Sequence, residues 1–280
     1  RRTMQPHALR GVQGRPGFRG RGGGHHIRAR MLNPASILLR PPRPRWSYAG
    51  FADDHTPPGY TPAMRAHKAS VTEIEELAPS VVQITVAFED HTFSFQPGQW
   101  VNFRFPDGVS RAYTIASAAQ RPQAVQLCVR VGAGRGGKAL LKLDAGASVT
   151  IDGPYGDFLI PENDGRPLMF LAGDTGIAPV RSMVLSMLAD RDPRKISVLY
   201  EPDQRNILYS ADFDPLARDG AIVHESGKIE TLIARNHERM TSSTLMAAGF
   251  DPFIDRVGDA LHEHGLSAKN LISETFGPQP

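Results

Sequence analysis

The chain has 280 residues and only one cysteine, Cys128, which excludes an internal disulfide and any cluster held by four cysteines of this chain. Cys128 stands in the alternating run Val125–Val131, where the expected role is a buried strand position rather than a reactive thiol. Long apolar runs are also missing. Pro167–Gly173, among the longest, falls far short of the ~20 residues that cross a bilayer, so no transmembrane helix is expected. Acid is absent from the N-terminal stretch: eleven arginines and no lysine precede the first carboxylate, Asp53. That leaves 21 of the 32 basic residues to face all 29 acids in the rest of the chain. The net charge of +3 therefore belongs to the extension, and the remainder is acidic.

Residues 1–67 read as a basic, non-globular extension. Gly, Pro and Arg dominate it, in stretches such as GRPGFRGRGGG and LLRPPRPRW, with too little apolar surface to offset chain entropy. Arg-rich, acid-free N-termini are typical of organelle import sequences, and the scarcity of Ser and Thr favours a mitochondrial address. A cleaved transit peptide is one reading. The other is an ordered tether that wraps a larger assembly, with Trp46, Tyr48, Phe51 and Tyr60 as anchors. Its arginines would then lie on acidic protein surface, lipid headgroups or RNA.

The rest has the makeup of a globular protein, at 40% hydrophobic and 22% charged residues overall, and the length suits two domains. From Lys68 to residue 162 short alternating runs (SVVQITVAF, QWVNFRF, RAYTIAS, AVQLCVRV, SVTID) alternate with turn signals, the pattern of an antiparallel barrel or sandwich. From residue 163 to 280 the rhythm becomes strand–helix–strand. LMFLAG, ISVLY, TLMAAG and NLISETF read as strands, and Ala178–Arg191 and Phe253–His264 as helices with apolar residues on one face. These make a parallel α/β unit.

Five short motifs carry candidate chemistry. In Arg111-Ala-Tyr-Thr-Ile-Ala-Ser117, period-two alternation sends Arg111 and Tyr113 to one face, so a cation and a ring could hold a phosphate and a planar group. Arg130-Val-Gly-Ala-Gly-Arg-Gly-Gly-Lys138 is a glycine loop opening a helix, with backbone N–H groups suited to an anion. Gly153-Pro-Tyr-Gly-Asp-Phe158 joins the two halves. Ala172-Gly-Asp-Thr-Gly-Ile-Ala-Pro179 is a strand, turn and helix N-terminus, the usual seat of a dinucleotide pyrophosphate, although GxGxxG itself is absent. Glu274-Thr-Phe-Gly-Pro278 lies near the end. His25-His26 and His262-Glu-His264 lack a third ligand and read as loop and solvated helix face, so no metal site is expected.

In this order and spacing, with FSFQPGQWVNFRFP ahead of them and Ala248-Gly-Phe-Asp-Pro-Phe253 before the last, these motifs resemble the ferredoxin–NADP reductase superfamily, and within it the mitochondrial oxidoreductase NAD-binding-domain proteins. The resemblance implies an antiparallel flavin-binding β-barrel followed by a parallel α/β nucleotide-binding domain. It implies FAD as cofactor. Arg111 would meet the flavin phosphate, Tyr113 would lie against the isoalloxazine, and Thr114 would hydrogen-bond near N5. The backbone at Val129, Arg130 and Val131 would face the pyrimidine edge, and Gly136, Gly137 and Lys138 would cap the phosphates. Gly173, Thr175 and Gly176 would take the nicotinamide nucleotide, Glu274 would stand near the nicotinamide, and Phe276 would cover the other flavin face. Tyr113, Thr114, Glu274 and Phe276 are thus the residues expected at the reacting atoms.

The sequence departs from the family at several of these places. Gly137 or Lys138 replaces a hydroxyl residue. Asp174 puts a carboxylate beside an anionic pyrophosphate, which is repulsive unless it points away. Acids in Glu201-Pro-Asp-Gln204 disfavour a 2′-phosphate and favour NADH over NADPH. The cysteine of the family's CGPxxM loop is gone, and Asp219–Ser243 is short for the nucleotide-side loops. Two functions are expected on this basis. One is a flavin-dependent NAD(P)H oxidoreductase with an unassigned acceptor. The other is an accessory subunit of a large multisubunit mitochondrial assembly, such as a respiratory-chain complex, held by its extension in the matrix or on the matrix face of the inner membrane, near the membrane surface. An RNA-bound role ranks below both.

Overall fold

The computed structural model describes residues 66–278, apart from 91, 204, 205, 269 and 270. The readings of the extension, including the tether anchors and the import signal, fall on residues outside the described ones.

Alternating side chains close the first half into a six-stranded antiparallel barrel. Its strands are β1 (Ala66–Ala78), β2 (Val81–Phe88), β3 (Trp100–Arg104), β4 (Ser110–Ile115), β5 (Ala124–Arg130) and β6 (Ser148–Tyr155), in the spatial order β1-β2-β5-β4-β3-β6. β1 pairs with both β2 and β6, which completes the ring. Val101, Phe103, Ile115, Val125, Leu127 and Ile151 point inward and are fully buried, as period two requires. Of the two architectures left open by the strand pattern, the barrel is the one formed. β1 was not among the expected runs, because Glu73, Glu75 and Glu76 mask its alternation. Its inward face is carried by Ala69 and Val71. β1 begins at Ala66, and buried His67 already belongs to it, with Nδ1 3.3 Å from Asp90.

The second half is a parallel sheet in the order β11-β10-β7-β8-β9, built from β7 (Leu168–Gly173), β8 (Ile196–Glu201), β9 (Val223–Ser226), β10 (Thr244–Gly249) and β11 (Ile272–Thr275). β7 and β10 are buried throughout, the expected state of strands covered by helices on both faces. Helices α2 (Ile177–Ala189) and α3 (Ser210–Arg218) pack on one face of the sheet, and α4 (Ile229–Met240) and α5 (Asp251–Glu263) on the other. The strand order reverses between β7 and β10, which makes the carboxyl ends of these two strands the topological switch point where such sheets bind ligands.

The barrel and the α/β half belong to one unit. Val81, Ala116, Cys128 and Phe158 share a core cluster with α2, α3, β7 and β8. α2 supplies the polar half of the junction. Buried Arg181 donates to the Ala116 carbonyl and Gln126 Oε1, each at 2.8 Å, and to Asp212 at 2.7 Å, while its guanidinium lies 4.6 Å from the Tyr209 ring centroid. Ser182 Oγ donates to the Ser117 carbonyl at 2.7 Å, and the Ala119 N–H donates to Ser186 Oγ at 3.0 Å. The junction thus fixes the motif-bearing ends of β4 and β5 against the α/β half.

Candidate active site

The first part of the site lies at a gap in the barrel. β4 and β5 pair only at Thr114↔Cys128 and Ile115↔Leu127, so their seam opens beyond these residues, where Arg111 to Tyr113 and Val129 to Val131 lie. The glycine loop crosses this opening and runs into the short helix α1 (Arg135–Leu140). A Cβ on Gly136 would lie 2.8 Å from Arg111 Nε, and a Cβ on Gly137 would lie 1.7 Å from the Gly132 carbonyl oxygen. The loop therefore folds back on itself with the Arg111 side chain laid along it, and the backbone approach at Gly137 is one that only glycine permits. Arg111 is exposed, donates to the Ser110 carbonyl at 2.7 Å, and has no carboxylate partner among the described residues. Lys138 is exposed on α1 and likewise has none.

Uncommitted cations beside tight backbone N–H groups are what a phosphate needs. Tyr113 is half-buried, with its ring 5.8 Å from that of Phe103 and 6.3 Å from that of Phe105. Burial pushes its phenol up to about 12, against the nearby Arg111 charge, so the hydroxyl stays neutral. Thr114 is half-buried beside it. Val129 is a barrel core residue. The Val131 N–H is already taken by the Ser80 carbonyl at 2.8 Å, so it is not a free donor for a ligand.

Arg130 goes elsewhere. Its guanidinium leaves the seam and pairs with Asp174, in the turn after β7, and with Asp203, in the loop after β8, at 3.1 Å. Burial disfavours the charge on Arg130, but the two carboxylates outweigh burial and hold the guanidinium above its ordinary range. Burial also raises the Asp174 carboxyl, against the pull of Arg130. Asp174, in the turn that leads into α2, thus also reaches across to the barrel through Arg130.

The second part of the site is the cleft at the switch point, lined by Gly173, Asp174, Glu201, Asp203, Phe253 and Arg256. Here the 3-10 turn Asp174–Gly176 leads into α2. Gly176 has no room for a side chain, since a Cβ would lie 2.0 Å from the Ala248 carbonyl oxygen. Its role in the fold is close packing of turn on strand. Gly173 and Gly249 both face the Phe253 ring, where a Cβ would come within 2.4 and 2.6 Å. Thr175 is buried. Arg256 is engaged by Glu201 at 2.8 and 2.7 Å and by Glu230 at 2.6 and 3.1 Å. Glu201 also accepts the Ile229 N–H at 2.6 Å, at the start of α4.

The motifs at the junction and near the end of the chain meet beside this cleft. Glu274 on β11 is half-buried, and burial followed by the Asp157 charge raises its carboxyl above the ordinary range. Phe276 donates its N–H to the Gly249 carbonyl at 2.9 Å, and its ring stands edge-on to Phe250 at 5.8 Å. The Thr275 hydroxyl bonds to Asp251. His264, noted in the sequence, stacks on His237 at 5.3 Å.

Sequence reasoning placed Arg111, Gly136, Gly137 and Lys138 around one loop, and the structure brings them together there. It missed Phe253 and Arg256 as cleft residues; Asp203 stood among the acids expected after β8, but not as a partner of Arg130. The Arg130 pairs span 44 and 73 positions, which no local pattern reveals. For Phe253 and Arg256 a signal existed, because both lie within the expected helix.

Residues 68–160 match the model of the oxidoreductase FAD-binding domain. The barrel half is thus similar to oxidoreductase FAD-binding domains, and the two halves together have the fold of ferredoxin–NADP reductases. It is 31% identical over 157 residues to the phenol hydroxylase P5 protein of Acinetobacter pittii (strain PHEA-2), covering 55% of this chain and 44% of that protein. It is 32% identical over 157 residues to ferredoxin--NADP reductase B of Sorangium cellulosum (strain So ce56), covering 54% and 64%. The chain thus spans between about half and two thirds of the length of these curated relatives. Among solved structures, the ferredoxin NADP+ reductase from Neisseria gonorrhoeae with bound FAD and NADP aligns with a TM-score of 0.65 at 16% identity, covering 75% of this chain and 98% of that one. The Amycolatopsis cytochrome P450 reductase GcoB aligns with a TM-score of 0.67 at 21% identity, covering 77% and 71%. These likenesses carry the shared fold.

Proposed function

We propose that this chain is a flavin-dependent oxidoreductase that takes reducing equivalents from a nicotinamide dinucleotide, NADH rather than NADPH, and passes them to a further acceptor. The observation that carries the reading is the gap between β4 and β5, closed by a glycine loop and flanked by two cations without carboxylate partners, Arg111 and Lys138. Flavin, when bound, supplies the hydride and single-electron chemistry. Arg111 and Lys138 hold its phosphates, with the N–H groups of the glycine loop. Tyr113 offers a neutral ring, and Thr114 a hydroxyl, at the open seam. Glu274 would keep or give a proton, burial and the Asp157 charge having raised its carboxyl.

The preference for NADH rests on Glu201, Asp203 and Glu230. Glu201 and Asp203 line the cleft with negative charge, and Glu201 and Glu230 occupy Arg256, the cation that a 2′-phosphate would need. The accessory-subunit reading stays beside this one because of a specific observation: Arg256 in the cleft and Arg130 beside it already carry two carboxylates each. Docking to a mitochondrial assembly rests on the sequence of the extension alone.

Anaerobic addition of NADH to the FAD-loaded full chain tests the proposal. The expected outcome is bleaching of the flavin's visible absorbance, with NADPH much slower. Flavin that stays oxidised under excess NADH would overturn the oxidoreductase reading in favour of the accessory one.

A further inference from the structure

Arg256 lines the cleft, Arg130 pairs with two aspartates that line it, and the partners of the two arginines differ in kind. Arg256 belongs to the framework. Glu201, which grips it, also accepts the first N–H of α4, so this carboxylate is tied to a helix end as well as to the cation. Arg130 bonds both of its aspartates through one nitrogen, Nη2. Its Nε and the Asp174 Oδ2 are both buried without a hydrogen-bond partner among the described residues, so each group has unused bonding capacity toward the other. Asp203, its other partner, is about a third exposed. Asp174 also sits at φ +52, in the left-handed region that a non-glycine residue enters at a cost. The turn is thus held in a strained conformation by an ion pair with unmet bonds.

The place of this pair gives it meaning. Asp174 opens the turn that leads into α2, a helix N-terminus of the kind that attracts an anion. Arg130 reaches that turn from the barrel. A pyrophosphate at this helix end would lie next to a carboxylate, yet within reach of a guanidinium that this carboxylate already occupies. Counting only the charged side chains of the two clamps, two cations meet four acids, so the cleft repels a dianion as it stands.

We propose that Asp174 and Asp203 are an internal substitute for dinucleotide phosphate: they hold Arg130 in a closed state, and a pyrophosphate binds only by displacing them. The inference rests on reading this cleft as a dinucleotide site. Asp174 then sets nucleotide affinity without touching the reacting atoms. The exchange trades one anion on Arg130 for another, and the released Asp174 carboxylate gains water while the turn sheds its left-handed residue.

The test compares the FAD-loaded full chain with Asp174→Asn, Asp203→Asn and the double variant Asp174→Asn/Arg130→Gln. Calorimetric titration with ADP-ribose, NADH and inorganic pyrophosphate is read in each. Asn has the same shape as Asp and tolerates the left-handed region, so the fold is retained. Asp203→Asn provides a second route to the same answer. Removing the like charge is expected to tighten ADP-ribose and NADH at least about tenfold in Asp174→Asn, with a smaller gain in Asp203→Asn, and the gain is lost in the double variant. Unchanged or weaker binding in both single variants overturns the proposal, as does a gain that survives Arg130→Gln. Strong NADH binding by the unaltered chain with no gain on substitution defeats the inference and leaves the dinucleotide reading intact. Tighter pyrophosphate in Asp174→Asn, with NADH bound by no variant, supports the displaceable clamp and defeats the dinucleotide reading. No binding of any probe to any chain overturns both.

Discussion

A methyl group at position 137 would sit 1.7 Å from the Gly132 carbonyl oxygen, inside covalent-contact range. That single constraint explains why glycine, rather than a hydroxyl residue, is workable there. The loop replaces a side-chain donor with a tight backbone turn, and exposed Lys138 adds charge next to it. Cys128 shows the same local logic. Its thiol is buried, and burial pushes it up to about 12, so almost none is thiolate at neutral pH. Ellman's reagent is expected to leave the native protein unlabelled at pH 8 and to titrate one thiol after unfolding in denaturant. Fast labelling of the native chain would show that the junction opens. This buried strand position was legible in the sequence, because Cys128 falls within a run of alternating apolar residues. The role of Arg130 was not. Its backbone lies in the same run, but its side chain is claimed by two aspartates from the other half.

At the scale of elements, β5 does three jobs by alternation and by its end. Leu127 and Val129 fill the barrel, Cys128 faces the α/β half, and Arg130 at the last position reaches the nucleotide turn. Helix α2 answers it from the other side. Arg181 is buried, yet it satisfies two acceptors on the barrel side of the junction, the Asp212 carboxylate and the Tyr209 ring. Removing it strands a part-buried carboxylate and two acceptors at once. Arg181→Ala is therefore expected to lower unfolding free energy by about 3 kcal/mol, measured by chemical denaturation, with an earlier midpoint. An unchanged midpoint would mean that the apolar junction alone suffices. The strands β7, β8 and β10 were legible as apolar runs bounded by turns. α4 was not identified, although Ile229, Leu232, Ile233 and Met240 keep helical spacing and are buried. Polar residues between them, and buried Asn236 bonded to Glu225 and to the Leu232 carbonyl, dilute that signal.

Across the whole molecule, the two halves differ in how ready they are for a ligand. The barrel half presents cations without carboxylate partners at an open seam. The α/β half keeps the switch-point architecture, but its Arg256 is paired, its Asp174 engages Arg130 of the barrel, and Phe253 covers Gly173 and Gly249. The order of motifs along the chain carried the two-domain fold, since each motif marks a strand end at the junction. Pairing between halves carried the state of the site, and that depends on distances the order does not contain. The barrel as a flavin holder is the claim on which the rest depends. The most direct measurement is flavin stoichiometry of the purified full chain, by visible spectrum after FAD loading and gel filtration, for the unaltered protein and Arg111→Ala. One flavin per chain is expected in the first, and at least about tenfold weaker retention in the second, the loss expected for a charge-assisted phosphate contact. A colourless unaltered protein, or equal retention in Arg111→Ala, would contradict the assignment.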